Sequence, residues 1–167
     1  MISTRSAVLA GVFVMALAGR AYADEAKVAT ASTVVFICEH GSSKSLVAAT
    51  LFNQIAEQRG LAVRAVSRAA STQTVDARVP PRLVQKMFVD GFQVKALRPQ
   101  AVTAADTTNA TRVVVIGYDG NVDAIGNVPI ERWNDVPPAS LEYDDAKREI
   151  IAHIEALLQG VDAGGSR

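Results

Sequence analysis

The feature that most constrains this chain is an abrupt change of character at one cysteine. Thr33-Val34-Val35-Phe36-Ile37-Cys38 is a continuous β-branched and aromatic run, which suits a strand buried on both faces. It stops at Cys38. Glu39, His40, Gly41, Ser42 and Ser43 are then small or polar, and Lys44 and Ser45 lead into helical spacing. Over Ser45 to Arg59, Val47, Leu51 and Ile55 share one stripe, with Gly60 as the stop. Strand, tight loop and helix in that order bring the unsatisfied N–H groups of the helix's first turn to the loop. The small residues at 41–43 let the backbone curl so that several N–H groups converge, which predicts an anion-binding loop over Glu39 to Ser43. The same positive end favours a thiolate at Cys38. A thiolate beside an oxyanion cradle is a nucleophile aimed at phosphorus or arsenic.

The rest of the chain supplies a frame for that loop. Leu61 to Ser67 is a second short strand, followed by a polar loop over Arg68 to Arg78. Pro80 and Pro81 open a helix carrying Leu83, Val84, Met87 and Phe88, which ends at Asp90-Gly91. Phe92 to Leu97 is expected to be a short extended piece, and Thr103 to cap a brief helix with Asp106 three residues on. Arg112 to Gly117 is a strong strand, Tyr118 to Asn127 a Gly/Asn/Asp-rich loop, and Val128 to Trp133 a final strand. A long helix is expected over Ser140 to Gln159, with Ile150, Ile154, Leu157 and Leu158 inward. Such alternation predicts an α/β, doubly wound three-layer sandwich with a mostly parallel sheet. In sheets of this kind ligands bind beyond the carboxyl ends of the strands at the switch point, where Cys38 lies.

The first 23 residues are read as a signal peptide: Arg5, an apolar run from Ala7 to Ala18, and the small-x-small site Ala21-Tyr22-Ala23. The run is too short for a membrane span. Cleavage would start the mature chain at Asp24, with a loose lead-in over 24–32, the domain over 33–160 and a flexible tail over 161–167. The expected home is periplasmic or secreted, with no stable membrane association after cleavage. Removing Arg5 and Arg20 leaves 15 basic residues against 17 acidic ones, a net charge of about −2. With no basic field, no nucleic-acid partner is expected. One cysteine forms no internal disulfide.

Val34 to Ala49, VVFICEHGSSKSLVAA, resembles the opening of the low-molecular-weight protein tyrosine phosphatases and the related thiol-dependent arsenate reductases, whose signature is Cys, five residues, Arg, then Ser or Thr. The likeness extends more weakly to Arg112–Gly117 and to Trp133-Asn134-Asp135-Val136-Pro137-Pro138. It implies a four-stranded parallel sheet, Cys38 as nucleophile, and Ser45 as the hydroxyl that bonds the thiolate and assists its departure. Gly41 stands where the family has a left-handed Asn. Lys44 stands where the family has Arg, so charge is kept but the planar fork is lost. The family's acid is an Asp before Pro. No Asp-Pro occurs here, and Asp135 is the nearest candidate, equally readable as a turn residue.

His40 is weighed as a loop histidine without a role, His153 as structural, and Arg68 as solvated rather than lining the site. Lys44-Ser45 matches only the end of the nucleotide-binding loop, since Cys38 and Ser43 hold its two glycine positions. One Cys and two distant His residues match no metal-ligand spacing, so no metal and no cofactor are expected. Three readings follow. The first is an exported phosphatase that acts on phosphomonoesters, phosphotyrosine among them, through a phosphocysteine on Cys38. The second is a weak or silent module that binds a small oxyanion, phosphate or arsenate. The third is an arsenate reductase that draws on an external thiol.

Overall fold

The computed structural model describes residues 32–164, apart from 124 and 127, with side chains as far as residue 159. The expected signal peptide, residues 24–31 of the lead-in and the last three residues of the tail lie outside the described residues. In chain order the elements are β1 (Ser32–Cys38), α1 (Lys44–Gln58), β2 (Val63–Ala69), α2 (Pro81–Val89), α3 (Ala104–Thr108), β3 (Ala110–Ile116), β4 (Ile130–Trp133) and α4 (Tyr143–Gly164). The four strands form one parallel sheet in the order β2-β1-β3-β4. The chain leaves β1 toward β2, then returns to the other side of β1 with β3. The switch point therefore falls between β1 and β3, at Cys38. This is the doubly wound α/β sandwich expected from the sequence.

Strand alternation decides how the sheet is covered. Val34 and Phe36 point to one face and join Val114, Ile116 and Trp133 beneath α1, α2 and α4. Phe36 is the hub of that face. Its ring meets Phe52 of α1 edge-on at 5.8 Å and Trp133 of β4 at 5.3 Å, contacts worth about 0.5–1.5 kcal/mol each beyond burial. Val35 and Ile37 point the other way, onto Val102, Val113, Val115 and Val122. That second face is thin, covered by Ala70, by Val102 just before α3 and by the loop after β3.

Several expectations need correction; β2 runs from Val63 to Ala69 and β4 starts at Ile130. Ser32 is not lead-in but the first residue of β1, its N–H held by the Ala62 carbonyl at 3.2 Å. Phe92 to Leu97 forms no strand. Gly91, at φ +89, turns the chain, Val94 drops into the core, and Leu97 N–H closes a turn on the Val94 carbonyl at 3.1 Å. The outer edge of β2 offers it little pairing, for only an isolated bridge, Ala69 with Ala101, forms there. The last helix starts at Tyr143 rather than Ser140, because Leu141 and Glu142 both donate to the Pro138 carbonyl in a turn. It runs through Gly160 to Gly164; a glycine weakens a helix interior by about 1 kcal/mol without ending it.

Arg68 is not a solvated arginine. Its guanidinium makes a two-pronged ion pair with Asp106, 3.0 Å and 2.7 Å, and ties β2 to α3. The side chains are 20% and 13% exposed. Asp106 also closes the α3 capping box, accepting from the Thr103 N–H while the Thr103 hydroxyl accepts from the Asp106 N–H. Burial raises its carboxyl pKa, but the bonds from Arg68 and Thr103 outweigh burial and hold it below the ordinary 3.8. A depressed folded pKa gives stability that is complete above the ordinary value and lost as pH falls through the lowered one. Asp106→Asn should therefore destabilise by about 2–3 kcal/mol at pH 7. In urea unfolding the gap between variant and wild type should narrow below pH 3.8, the ordinary value. Equal midpoints at neutral pH would show that the pair contributes nothing.

Candidate active site

The site begins where β1 ends. Cys38 is 4% exposed, so its sulfur lies at the floor of the loop rather than at its lip. The chain then rises through Glu39 and His40, both exposed, and turns at Gly41 with φ +68. That conformation favours glycine, and the space demands it too. A Cβ on Gly41 would stand 2.6 Å from the Ala69 nitrogen and 3.0 Å from the Arg68 carbonyl carbon. The loop thus rests backbone on backbone against the end of β2. No side-chain cap occupies the N-terminus of α1: Ser43 makes no capping bond. The N–H groups of that first turn are left to the loop's concavity, which suits an anion.

A chain of hydroxyls leads out from the sulfur. Cys38 Sγ lies 3.0 Å from Ser45 Oγ, Ser45 Oγ lies 2.9 Å from Ser67 Oγ, and Ser67 Oγ donates to the Gly41 carbonyl at 3.1 Å. Each hydroxyl has one proton to give. While Ser67 gives its own to Gly41, it accepts from Ser45, and Ser45 then accepts from a protonated Cys38. If Cys38 is a thiolate, Ser45 must turn its proton onto the sulfur, and Ser67 becomes free to donate to Ser45. The ionisation of the thiol is in this way coupled to the bond that fixes Gly41. Ser45 is fully buried, so its bond to the sulfur is shielded from bulk water, while Ser67 at the outer end of the chain is half-buried.

A second set of bonds holds the loop from outside. Ser42, also buried, donates to the Asp76 carboxylate. Asp76 N–H donates to the His40 carbonyl at 3.1 Å, and Thr74 Oγ1 donates to the Glu39 carbonyl at 2.7 Å. His40 is not without a role: its Nδ1 bonds the Thr74 carbonyl at 2.8 Å. Ala70 N–H reaches the Cys38 carbonyl at 3.0 Å. The polar segment after β2 thus braces Cys38, Glu39, His40 and Ser42. Ser67, Thr74 and Asp76 were not singled out in the sequence. Ser67 carried one usable signal, a hydroxyl near the carboxyl end of the strand beside β1.

Lys44 and Asp135 are placed differently. Lys44 Nζ donates to the Gly117 carbonyl at 3.0 Å, across the switch point at the end of β3. Gly117 has φ +53, and a Cβ there would overlap the ammonium. Asp135 accepts from His153 Nε2 at 2.8 Å, and the His153 ring stacks on Trp133 at 4.6 Å. His153 is thus held by two partners, in keeping with a structural histidine. Its bond to Asp135 is the main reason the Asp135 carboxyl lies below the usual carboxylate range, outweighing burial. The structure brings Cys38, Ser45 and the loop together, and it gives Lys44 and Asp135 other partners. Among the described residues no group of three or more His, Cys, Asp or Glu side chains is placed to hold a metal ion.

The same architecture occurs in known proteins. A protein tyrosine phosphatase from Entamoeba histolytica superposes with a TM-score of 0.68 at 14% identity, over 80% of this chain and 98% of that one. A thioredoxin-dependent arsenate reductase from Corynebacterium glutamicum gives 0.65 at 16% identity, over 81% of this chain and 64% of that one. An arsenate reductase from Archaeoglobus fulgidus gives 0.56 at 20% identity, over 77% and 97%. These likenesses concern the fold. No curated protein matches the chain in sequence. Residues 33–156 match the family model described as low molecular weight phosphotyrosine protein phosphatase, and the chain belongs to that family.

Proposed function

We propose that this family member is an exported cysteine-dependent phosphatase of phosphomonoesters. The observation that supports it best is the sulfur of Cys38 bonded to Ser45 at the floor of a loop whose helix N–H groups lack a side-chain cap. In this reading the phosphate oxyanion sits in the loop and the Cys38 thiolate attacks phosphorus. The Sγ–P bond forms as the ester P–O bond breaks, and the leaving oxygen takes a proton. Water then attacks the phosphocysteine and gives up a proton to solvent, the S–P bond breaks, and the electron pair stays on sulfur as a thiolate to which the Ser45 hydroxyl donates a hydrogen bond. The loop N–H groups hold charge on the equatorial oxygens, which is the largest part of what such a site supplies.

Lys44 and Asp135 set the limits of this chemistry. Lys44 contributes a point charge, and only after leaving Gly117. Asp135 is the candidate acid, yet an ordinary Asp carboxyl is already ionised at neutral pH, and the bond with His153 lowers its pKa further rather than raising it as a general acid requires. These two contacts favour a second reading, an oxyanion-binding module with slow or no turnover. The leaving group separates the two. An aryl ester with an acidic phenol departs without a proton, whereas an alkyl ester needs one. Arsenate reduction through an external thiol is the third reading; no second cysteine exists to release arsenite.

Purified mature protein should hydrolyse a nitrophenyl phosphate, and Cys38→Ser should abolish this while leaving the far-UV spectrum unchanged. Lys44→Arg should raise the rate about tenfold, because the fork restores part of a transition-state bond typically worth about 2.7–4 kcal/mol. A folded, phosphate-binding wild type that is inert toward aryl esters would leave the binding module as the better account.

The exported location is part of this proposal, and it rests on the composition of residues 1–23. Mass spectrometry of protein from the cell-envelope fraction should find Asp24 at the amino terminus. Full-length protein in the cytoplasm would contradict export.

A further inference from the structure

Three hollows adjoin one another between the loop and the far end of α2. The first, about 250 Å³, is lined by Gly41 and Ser67 at one end and by Val79 and Arg98 at the other. The second, about 510 Å³, shares Val79 and Arg98 and adds Arg78 and Lys95. The third, about 260 Å³, shares Lys95 with the second and ends on Phe88 and Phe92. Together they make a groove that starts at the flank of the anion loop and ends on aromatic rings.

The charge in that groove is one-sided. No Asp or Glu lines any of the three hollows. Several cations elsewhere in the domain sit on carboxylates, among them Arg59 on Glu155, Lys86 on Asp144 and Lys147 on Asp90, while Lys44, Arg112 and Arg132 meet backbone carbonyls instead. Arg78 and Lys95 have no carboxylate partner among the described residues, and Arg98 donates only to the carbonyls of Ala96 and Leu97. A chain with equal numbers of acidic and basic residues has thus left three exposed cations together in a concave surface, where their fields add. Beside them Phe88 is 61% exposed, on the same helix whose Leu83 and Met87 are buried and whose last residue, Val89, is exposed as well.

We propose that this groove docks an acidic peptide segment of a partner protein, with carboxylates over Arg78, Lys95 and Arg98 and an apolar side chain against Phe88 and Phe92. A single small anion would fill one hollow and leave the aromatic end empty. Three cations are too few for a nucleic acid, which is held by many phosphate contacts. An extended peptide matches both the length and the order of basic, then apolar. As a statement about substrate this rests on the phosphatase reading, since it makes the substrate a protein whose phosphorylated residue lies beside an acidic stretch. As a binding site it does not depend on Cys38 chemistry.

The test uses mature Cys38→Ser protein and a fluorescent, unphosphorylated Asp/Glu-rich peptide of about ten residues with one terminal Phe, which spans about 33 Å when extended. Fluorescence anisotropy should show salt-sensitive binding in the micromolar range. The triple variant Arg78→Ser, Lys95→Ser, Arg98→Ser should weaken it roughly tenfold or more, and Phe88→Ala several-fold. The three cations are exposed, and circular dichroism would confirm that the triple variant folds; Lys95→Glu alone should also weaken binding. Equal binding of a peptide with Asn and Gln in place of its acids would overturn the proposal. So would displacement by inorganic phosphate with no effect of Phe88→Ala, which would mean a small-anion site only. In the Cys38-containing protein, the triple variant should keep aryl phosphatase activity within about twofold. An inactive wild type that still binds the peptide would sink the phosphatase reading and leave the groove standing.

Discussion

Gly41 lies with its missing side chain against the backbone of Arg68 and Ala69, and the site depends on that contact. Any Cβ would press on the Ala69 nitrogen, and φ +68 would strain any L-residue there. Because the loop touches β2 so closely, Ser67 can reach both the Gly41 carbonyl and the Ser45 hydroxyl. Because Ser45 is reached, its oxygen is fixed 3.0 Å from the Cys38 sulfur. The strand pairing that sets this height is that of β1 with the edge strand β2, with Cys38 opposite Ala69. Sheet register, loop curvature and thiol environment are therefore one constraint seen at three scales. The brace from Thr74 and Asp76 holds the other side of the same turn.

Around this well-determined centre, the two charged positions are held elsewhere. Lys44 spans from the first residue of α1 to the residue after β3, so its ammonium links the two sides of the switch point. That contact neutralises part of the negative end of a carbonyl, but it is one bond from a flexible stem, and an anion that offers two charges competes with it well. Asp135 is bound more firmly, since His153 is itself fixed by its stack on Trp133. The geometry thus suits anion capture by the loop with the shift of one lysine, and proton donation only after the firmer pair of Asp135 and His153 is broken. This asymmetry explains why substrates with good leaving groups are the sensitive probe.

How much of this was legible in the sequence follows from the range of the interactions. β1 and β3 were visible because a strand buried on both faces is written as an unbroken apolar run. The α3 cap was visible because Thr103 and Asp106 are three residues apart. The loop was visible because strand, small polar residues and helix are adjacent. The brace was not, because Ser42 and Asp76 are 34 residues apart and Thr74 meets Glu39 across 35. In sequence, Thr74 and Asp76 look like ordinary turn formers. Arg68 with Asp106, 38 apart, and His153 with Asp135, 18 apart, were hidden in the same way. The Phe92 to Leu97 stretch misled for a different reason. Its alternation is that of a strand, but the neighbouring sheet edge pairs with Ala101 instead.

The central claim is that the loop is an oxyanion cradle with Cys38 at its floor, and chemical protection of that thiol tests it most directly. Iodoacetamide alkylation of the mature protein should follow a single site, Cys38. Millimolar phosphate or arsenate should slow it at least about fivefold relative to chloride at matched ionic strength, as expected when a bound anion covers a thiol. An alkylation rate unchanged by both anions would contradict the account, as would a thiol that does not react with or without them.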